Sequence, residues 1–308
     1  MAEITAALVK ELRDKCGAGM MDCKKALTES GGGIEAAVDW LRTKGLAAAS
    51  KKAGRVAAEG LVACALAAGR GVVVEVNSET DFVARNEDFQ GFVAAVAETA
   101  LGVDGDLERL AAAEFPGAGK PVAEKLADMI AVLGENMTLR RTRGLAVSDG
   151  VVACYVHAAV TPGLGRIGVL VALESTGDKE KLMALGKQLA MHVAATNPRS
   201  VAIDDLDAEV VQRERAVLTD QAKESGRPDD IIAKMVEGRL RKFYQEVVLA
   251  EQVFVVDGET KVAKLVEAAA EDVGAAVAIA GFVRFELGEG IERKEKDFAA
   301  EVAQQLGG

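Results

Sequence analysis

Gly60-Leu61-Val62-Ala63-Cys64 and Gly150-Val151-Val152-Ala153-Cys154 are nearly the same phrase, and each is followed by a second apolar run. In the first case that run is Gly71-Val72-Val73-Val74-Glu75-Val76, in the second Gly168-Val169-Leu170-Val171-Ala172-Leu173. Short apolar runs of this kind, rich in β-branched residues and opened by glycine, read as buried strands. Each strand pair leads into a long helical pattern, Phe89 to Leu101 in one copy and Lys179 to Ala195 in the other. The repetition implies an internal duplication, and two copies are too few for a solenoid. The expected core is therefore a side-by-side pair of α+β halves, at about 56–145 and 146–285.

Outward from this core the patterns turn helical. Ile4, Leu8 and Leu12 share one face, Gly17-Ala18-Gly19 breaks the helix before Met20, and a third helix carrying Ile34, Ala37, Val38 and Leu41 follows Gly31-Gly32-Gly33. Residues 1–55 thus read as a three-helix domain with Lys44 to Arg55 as a helical tail or linker. The second half carries a charged insertion at about 204–249. Val210, Val211, Val217 and Leu218 precede Ser225-Gly226-Arg227-Pro228, and Ile231, Ile232, Met235, Val236 and Leu240 follow it, as in an antiparallel helical hairpin, a short coiled coil. Such an arm either stabilises the fold or contacts another protein or a second copy. Beyond it, Lys264 to Glu271 reads as helix and Ala276 to Phe285 as strand. Within a C-terminal module at 286–308, Asp297 to Leu306 reads as a terminal helix, which serves core packing or a detachable contact.

Composition excludes several functions. The chain has 308 residues with half of them hydrophobic, which suffices for a core, and 4% aromatic content implies close packing through small side chains. A net charge of -11 argues against broad nucleic-acid binding, and the best basic cluster, Lys51-Lys52-Ala53-Gly54-Arg55, lacks the aromatics that would accompany RNA contacts. No run is long enough to span a membrane, and Glu3, Lys10 and Glu11 stand where a signal peptide would be apolar, so the expected location is cytoplasmic. Cys16, Cys23, Cys64 and Cys154 are widely spaced without a C-x-x-C, as reduced thiols are, and no metal site or cofactor is expected.

Catalytic signatures are weak. Gly163-Leu164-Gly165-Arg166-Ile167-Gly168 has the spacing of a dinucleotide fingerprint, but a strand pattern follows it where a helix would have to open, so it reads as a glycine-rich hairpin loop. Of the two histidines, His192 lies in an apolar helical run and reads as core. His157 ends a strand pattern beside a Pro/Gly loop, where structure and contact are both open readings. The most informative polar stretch is Thr80-Asp81-Phe82-Val83, at the end of the second strand pattern and before the helical pattern that starts at Glu87. Asp81 either caps that helix while Phe82 fills the core, or the carboxylate and ring together enter a partner's cleft.

Several ordered segments resemble the bacterial translation elongation factor Ts family: Leu8 to Arg13 with Gly17 to Leu27, Glu75-Val76-Asn77 with Thr80 to Ala84, Met191 to Ala195, Met235 to Arg239, and Phe282 to Phe285 with Gly288 to Glu292. The resemblance spans essentially the whole chain. It implies a nucleotide exchange factor, not an enzyme, that binds the GDP form of elongation factor Tu and leaves when GTP enters. It also implies that Thr80, Asp81, Phe82 and Val83 disturb the partner's Mg²⁺ site, that a ubiquitin-associated-like N-terminal module brings Met20, Met21 and Lys24 to the contact, and that His157 reaches a second partner domain. Pairing of two copies through the hairpin is compatible with it; nucleic acid and membrane are not expected partners. Arg85-Asn86-Glu87 and the lengthened loop at 161–165 depart from the family pattern. The rival reading is a plain protein-binding module whose helical domain is the binding site.

Overall fold

Two antiparallel sheets stand face to face, each with helices on its outer side. The computed structural model describes residues 4–16 and 18–292. After three helices, α1 (Ala6–Cys16), α2 (Met20–Glu29) and α3 (Ile34–Lys52), the first half runs β1 (Glu59–Ala67), β2 (Arg70–Ser78), α4 (Asp81–Ala84), α5 (Glu87–Leu101), α6 (Leu107–Ala112), α7 (Val122–Leu133) and β3 (Met137–Ala146). The second half runs β4 (Gly150–His157), β5 (Leu164–Gly165), β6 (Ile167–Glu174), α8 (Lys179–Thr196), a hairpin of α9 (Ala208–Lys223) and α10 (Asp229–Val247), then α11 (Val262–Val273) and β7 (Ala278–Glu286). The terminal helix expected at 297–306 lies outside the described residues.

Alternation along the strands explains the apolar runs. Leu61, Ala63, Val72, Val74 and Val76 face α5 and α7, while Val62 and Val73 face the opposite way and meet Val152, Leu170 and Ala172 of the other sheet. Val151, Val169, Val171 and Leu173 face α8 and α11. Strands covered on both faces need apolar residues at every position, which removes the half-buried alternation.

The duplication reaches down to backbone detail. Gly60 (φ 122°) and Gly150 (φ 152°) both open their first strands, and a Cβ there would sit 2.2 Å from the Val76 oxygen and 1.9 Å from the Leu173 oxygen. Only glycine permits that approach. The turns into α7 and α11 repeat as well, with Phe115 N–H donating to Lys120 O and Phe254 N–H to Thr260 O, each at 2.8 Å. Both sheets carry a register shift at the matching place, between Glu75 and Val76 and between Ala172 and Leu173.

At the first of these bulges the halves diverge. A bulge lets two consecutive side chains lean the same way, and Arg140 and Arg141 both reach the carboxylate of Glu75, at 2.8 and 2.5 Å. Glu75 is fully buried and also accepts from Asn77 Nδ2 at 3.0 Å and Gly288 N at 2.8 Å. Arg141 continues to Glu286 O and the Glu289 carboxylate, and Arg140 donates to Glu289 O, so the chain leaving β7 is tied to the first half. Burial alone would push the Glu75 carboxyl up; the Gly288 N–H, both guanidinium groups and Asn77 outweigh it and hold the pKa below its usual value. Ala172 stands at the matching place in the second copy.

The glycine-rich segment after β4 does more than turn. Leu164 and Gly165 form β5, which pairs with Ala63 and Val62 of β1 and completes the first sheet in the order β3-β2-β1-β5; the second sheet runs β4-β6-β7. A strand, β6, follows the glycines, so no helix N-terminus faces a pyrophosphate there. In the hairpin Leu218, Ala222, Ile232, Val236 and Leu240 are buried, and the turn falls at Gly226 and Pro228. The Lys44 to Arg55 stretch is mostly the distal half of α3, lying on α7 with Arg42 paired to Glu124 and Lys52 Nζ donating to Ile130 O.

Candidate functional site

Where β2 ends, the backbone is held at several points within a few residues. Glu135, just past α7, accepts from Thr80 N at 3.0 Å and from Thr80 Oγ1 at 2.6 Å, while Ser78 Oγ donates to Thr80 O at 2.9 Å. The single turn of α4 follows. Val83 and Ala84 plug its inner side into the first-half core, and Asn86 receives the chain by capping α5 through Phe89 N at 3.1 Å.

With Val83 inward, at 6% exposure, the preceding side chain must point out. Phe82 is 75% exposed. Asp81 is half-buried beside it and pairs with Arg85 at 2.8 Å. The reading in which Asp81 caps the next helix and Phe82 fills the core is therefore set aside, since Asn86 is the cap and Phe82 faces solvent. Full burial of a phenylalanine is worth roughly 1.5–3 kcal/mol, so an exposed ring on a pinned turn is surface that another body could use. Of the four residues expected to act together, Thr80 anchors the turn, Val83 roots it in the core, and Asp81 and Phe82 form the outer prong.

The other expected contact residues lie elsewhere. Met20, Met21 and Lys24 are exposed on α2, with Met21 at 76%. Cys23, Ala26 and Leu27 face the inner side against Leu12 and Ala37, so the helix presents these side chains because its other face is occupied. His157 is exposed at the end of β4, its Nδ1 3.1 Å from the Tyr155 hydroxyl. His192 is fully buried: its Nε2 lies 2.9 Å from Gln252 Oε1, and Nδ1 accepts from Val255 N at 3.2 Å. That geometry suits a neutral ring donating through Nε2. Burial lowers its pKa, opposed in part by the Gln252 bond.

No group of three or more His, Cys, Asp or Glu among the described residues could hold a metal ion, and no described helix is long and apolar enough to cross a membrane. At its surface the site shows an exposed Phe82 ring beside the Asp81–Arg85 pair.

The same stretch lies at the start of a family match. A family model described as Elongation factor TS matches residues 79–289. Curated relatives called elongation factor Ts include one from Rhodospirillum rubrum, 64% identical over 307 residues and covering 99% of each chain. Another, from Rhodospirillum centenum, is 63% identical with all of both chains covered, and one from Parvibaculum lavamentivorans is 61% identical over 98% of each. A two-sheet α+β protein with a presented prong, matched over its whole length to such relatives, falls in the class of translation elongation factors. The chain belongs to the elongation factor Ts family. With that comes the coarse role of a nucleotide exchange factor in translation elongation, partnered with elongation factor Tu.

Proposed function

We propose that this chain binds the GDP form of elongation factor Tu in the cytoplasm and drives GDP out by setting the Asp81–Phe82 prong beside the partner's magnesium site. It stays bound until GTP enters. The observation that carries the reading is the pairing of a pinned backbone with an exposed ring. Glu135 holds Thr80 while Val83 and Ala84 anchor the turn, so the prong arrives preorganised and little ordering entropy is lost on docking.

A magnesium ion neutralises phosphate charge on a bound nucleotide. A carboxylate and a ring placed against its water and ligand shell weaken its hold, and the diphosphate loses its counter-charge. The factor forms no bond of its own. Its effect is linkage, in which factor and nucleotide each weaken the other's binding, with a coupling at or above the ordinary range of about 1–3 kcal/mol. Met20, Met21 and Lys24 of the N-terminal helical domain add a contact to the GTPase domain, and His157 reaches a second partner domain. The expected boundaries, 1–55, 56–145, 146–285 and 286–308, divide these tasks.

Elongation factor Tu loaded with fluorescent GDP tests the proposal by stopped-flow release. Substoichiometric protein should accelerate release, and the double substitution Asp81→Ala with Phe82→Ala should slow it strongly without loss of folding. A plain binding module would bind without accelerating release. An unchanged rate for the double variant would overturn the role of the prong.

A further inference from the structure

The four cysteines fall into two groups, one between the sheets and one within the N-terminal helices. Cys64 and Cys154, at matching positions of the two halves, pack against the same apolar layer between the sheets, and Cys16 Sγ lies 3.8 Å from Cys23 Sγ. All four are free thiols.

The second pair has an asymmetric setting. Cys16 closes α1 and is half-buried on the wall of a cleft between the helical unit and α7. Cys23 is fully buried on α2, its thiol 3.5 Å from Ala18 O. Burial, then the neighbouring Cys16, push the Cys23 thiol up to about 11, so it is a protonated partner rather than the first to react. The helix that carries it also presents Met20, Met21 and Lys24 outward.

We propose that Cys16 and Cys23 are a hydroperoxide-sensitive thiol pair, whose disulfide displaces the first turn of α2 and weakens docking through Met20, Met21 and Lys24. The docking consequence rests on the exchange reading above; the thiol chemistry does not. Cys16, having released its proton, attacks one peroxide oxygen as thiolate, the O–O bond breaks, and the departing alkoxide or hydroxide takes up that proton from solvent and leaves as alcohol or water, so that a sulfenic acid remains. Cys23 sulfur then attacks Cys16 sulfur, the S–O bond breaks, and the departing hydroxide takes the Cys23 proton as water. Two thiols and one hydroperoxide give one disulfide, one water and one alcohol, or a second water when the oxidant is hydrogen peroxide. A disulfide bond is about 2.05 Å long, so the sulfurs must close nearly half of their present 3.8 Å separation, and α2 is drawn along because Cys23 is packed among Val9, Leu12, Ala26 and Leu27.

The test uses the full chain with Cys64→Ala and Cys154→Ala, treated with hydrogen peroxide, alkylated, digested and weighed. The expected result is a cross-linked peptide joining positions 16 and 23, two hydrogens lighter and restored by dithiothreitol. With Cys23→Ser added, dimedone should label position 16 instead. Oxidised protein should release GDP from elongation factor Tu several-fold more slowly than reduced protein, with recovery on reduction. Both thiols still alkylated after peroxide, an oxidised Cys16 beside a free Cys23, or a disulfide that leaves the release rate unchanged would each overturn the proposal. Reduced protein that fails to accelerate release would strike the exchange reading and the docking consequence with it, while mass alone still decides the thiol chemistry.

Discussion

Replacing Glu75 with alanine removes the buried anion that both bulge arginines and the Gly288 N–H converge on. Breaking a buried pair by deleting one partner costs about 3–5 kcal/mol, because the other charge is left uncompensated. The arginines are not wholly stranded: their side chains keep 23 and 28% exposure, and Arg141 retains Glu289 at 3.2 Å and lies 4.2 Å from the Phe285 ring centroid. The lower end applies, about 3 kcal/mol, or roughly 6–12 °C in Tm at the usual 2–4 °C per kcal/mol for chains of 150–250 residues. Glu75→Gln keeps the shape but not the charge and should lose less, about 1–2 kcal/mol. Since the folded pKa of Glu75 is depressed, its contribution is fully present above the unfolded carboxylate value, near 4.3, and disappears as pH falls through the folded value. Urea unfolding followed by circular dichroism at neutral and acid pH reads both effects. An alanine variant within about 0.5 kcal/mol of the parent, or a gap between parent and Glu75→Gln that does not narrow in acid, refutes the assignment.

Other expectations follow from single contacts. Phe82→Ala should slow GDP release about tenfold, from about 1–2 kcal/mol of ring burial that only the partner supplies, and shift urea unfolding by less than about 0.5 kcal/mol; a large loss of stability would mean that the ring is core. Glu135→Ala should loosen the Thr80 anchor and slow release several-fold, and Thr80→Val should do so less, because the backbone bond survives; equal and negligible effects in stopped-flow would show that the anchor is idle. Gly60→Ala and Gly150→Ala should each destabilise by about 3 kcal/mol or more in urea unfolding, given the contacts their Cβ atoms would make, and wild-type stability in either would contradict the strand geometry. The neutral fold of His192 stabilises above about pH 6.5 and loses that contribution as pH falls toward its lowered folded value, because the unfolded chain takes up the proton first; His192→Gln should flatten this stretch of a stability–pH curve.

Much of the architecture could be read from sequence because its cause was local. Glycine-led apolar runs marked the paired strands, and the Gly226–Pro228 stretch marked the hairpin tip. The strand Met137–Ala146 escaped notice because Arg140, Arg141 and Arg143 interrupt any apolar pattern, and the carboxylate that receives the first two lies more than sixty residues upstream. The β5 pairing was missed because a two-residue strand has no periodicity to detect, whereas helix α7 does carry an amphipathic pattern, Val122, Leu126, Met129 and Ile130, that went unread. At the site, the position of Asp81 and Phe82 at a strand end was legible. Their orientation was not, since in a one-turn helix it is set by which neighbour the core admits, here Val83 and Ala84. The approach of Cys16 to Cys23, seven residues apart, depends on how α1 folds back on α2, which their spacing alone does not give.

The short β5 strand belongs by sequence to the second copy and by hydrogen bonding to the first. A gene cut between the copies, near residue 148, would therefore hand each product a defect: one fragment with a raw sheet border open to pairing with strangers, the other with an orphaned ribbon. Such fragments are expected to clump when made separately and to recover when made together. The two halves are thus expected to fold only as one body.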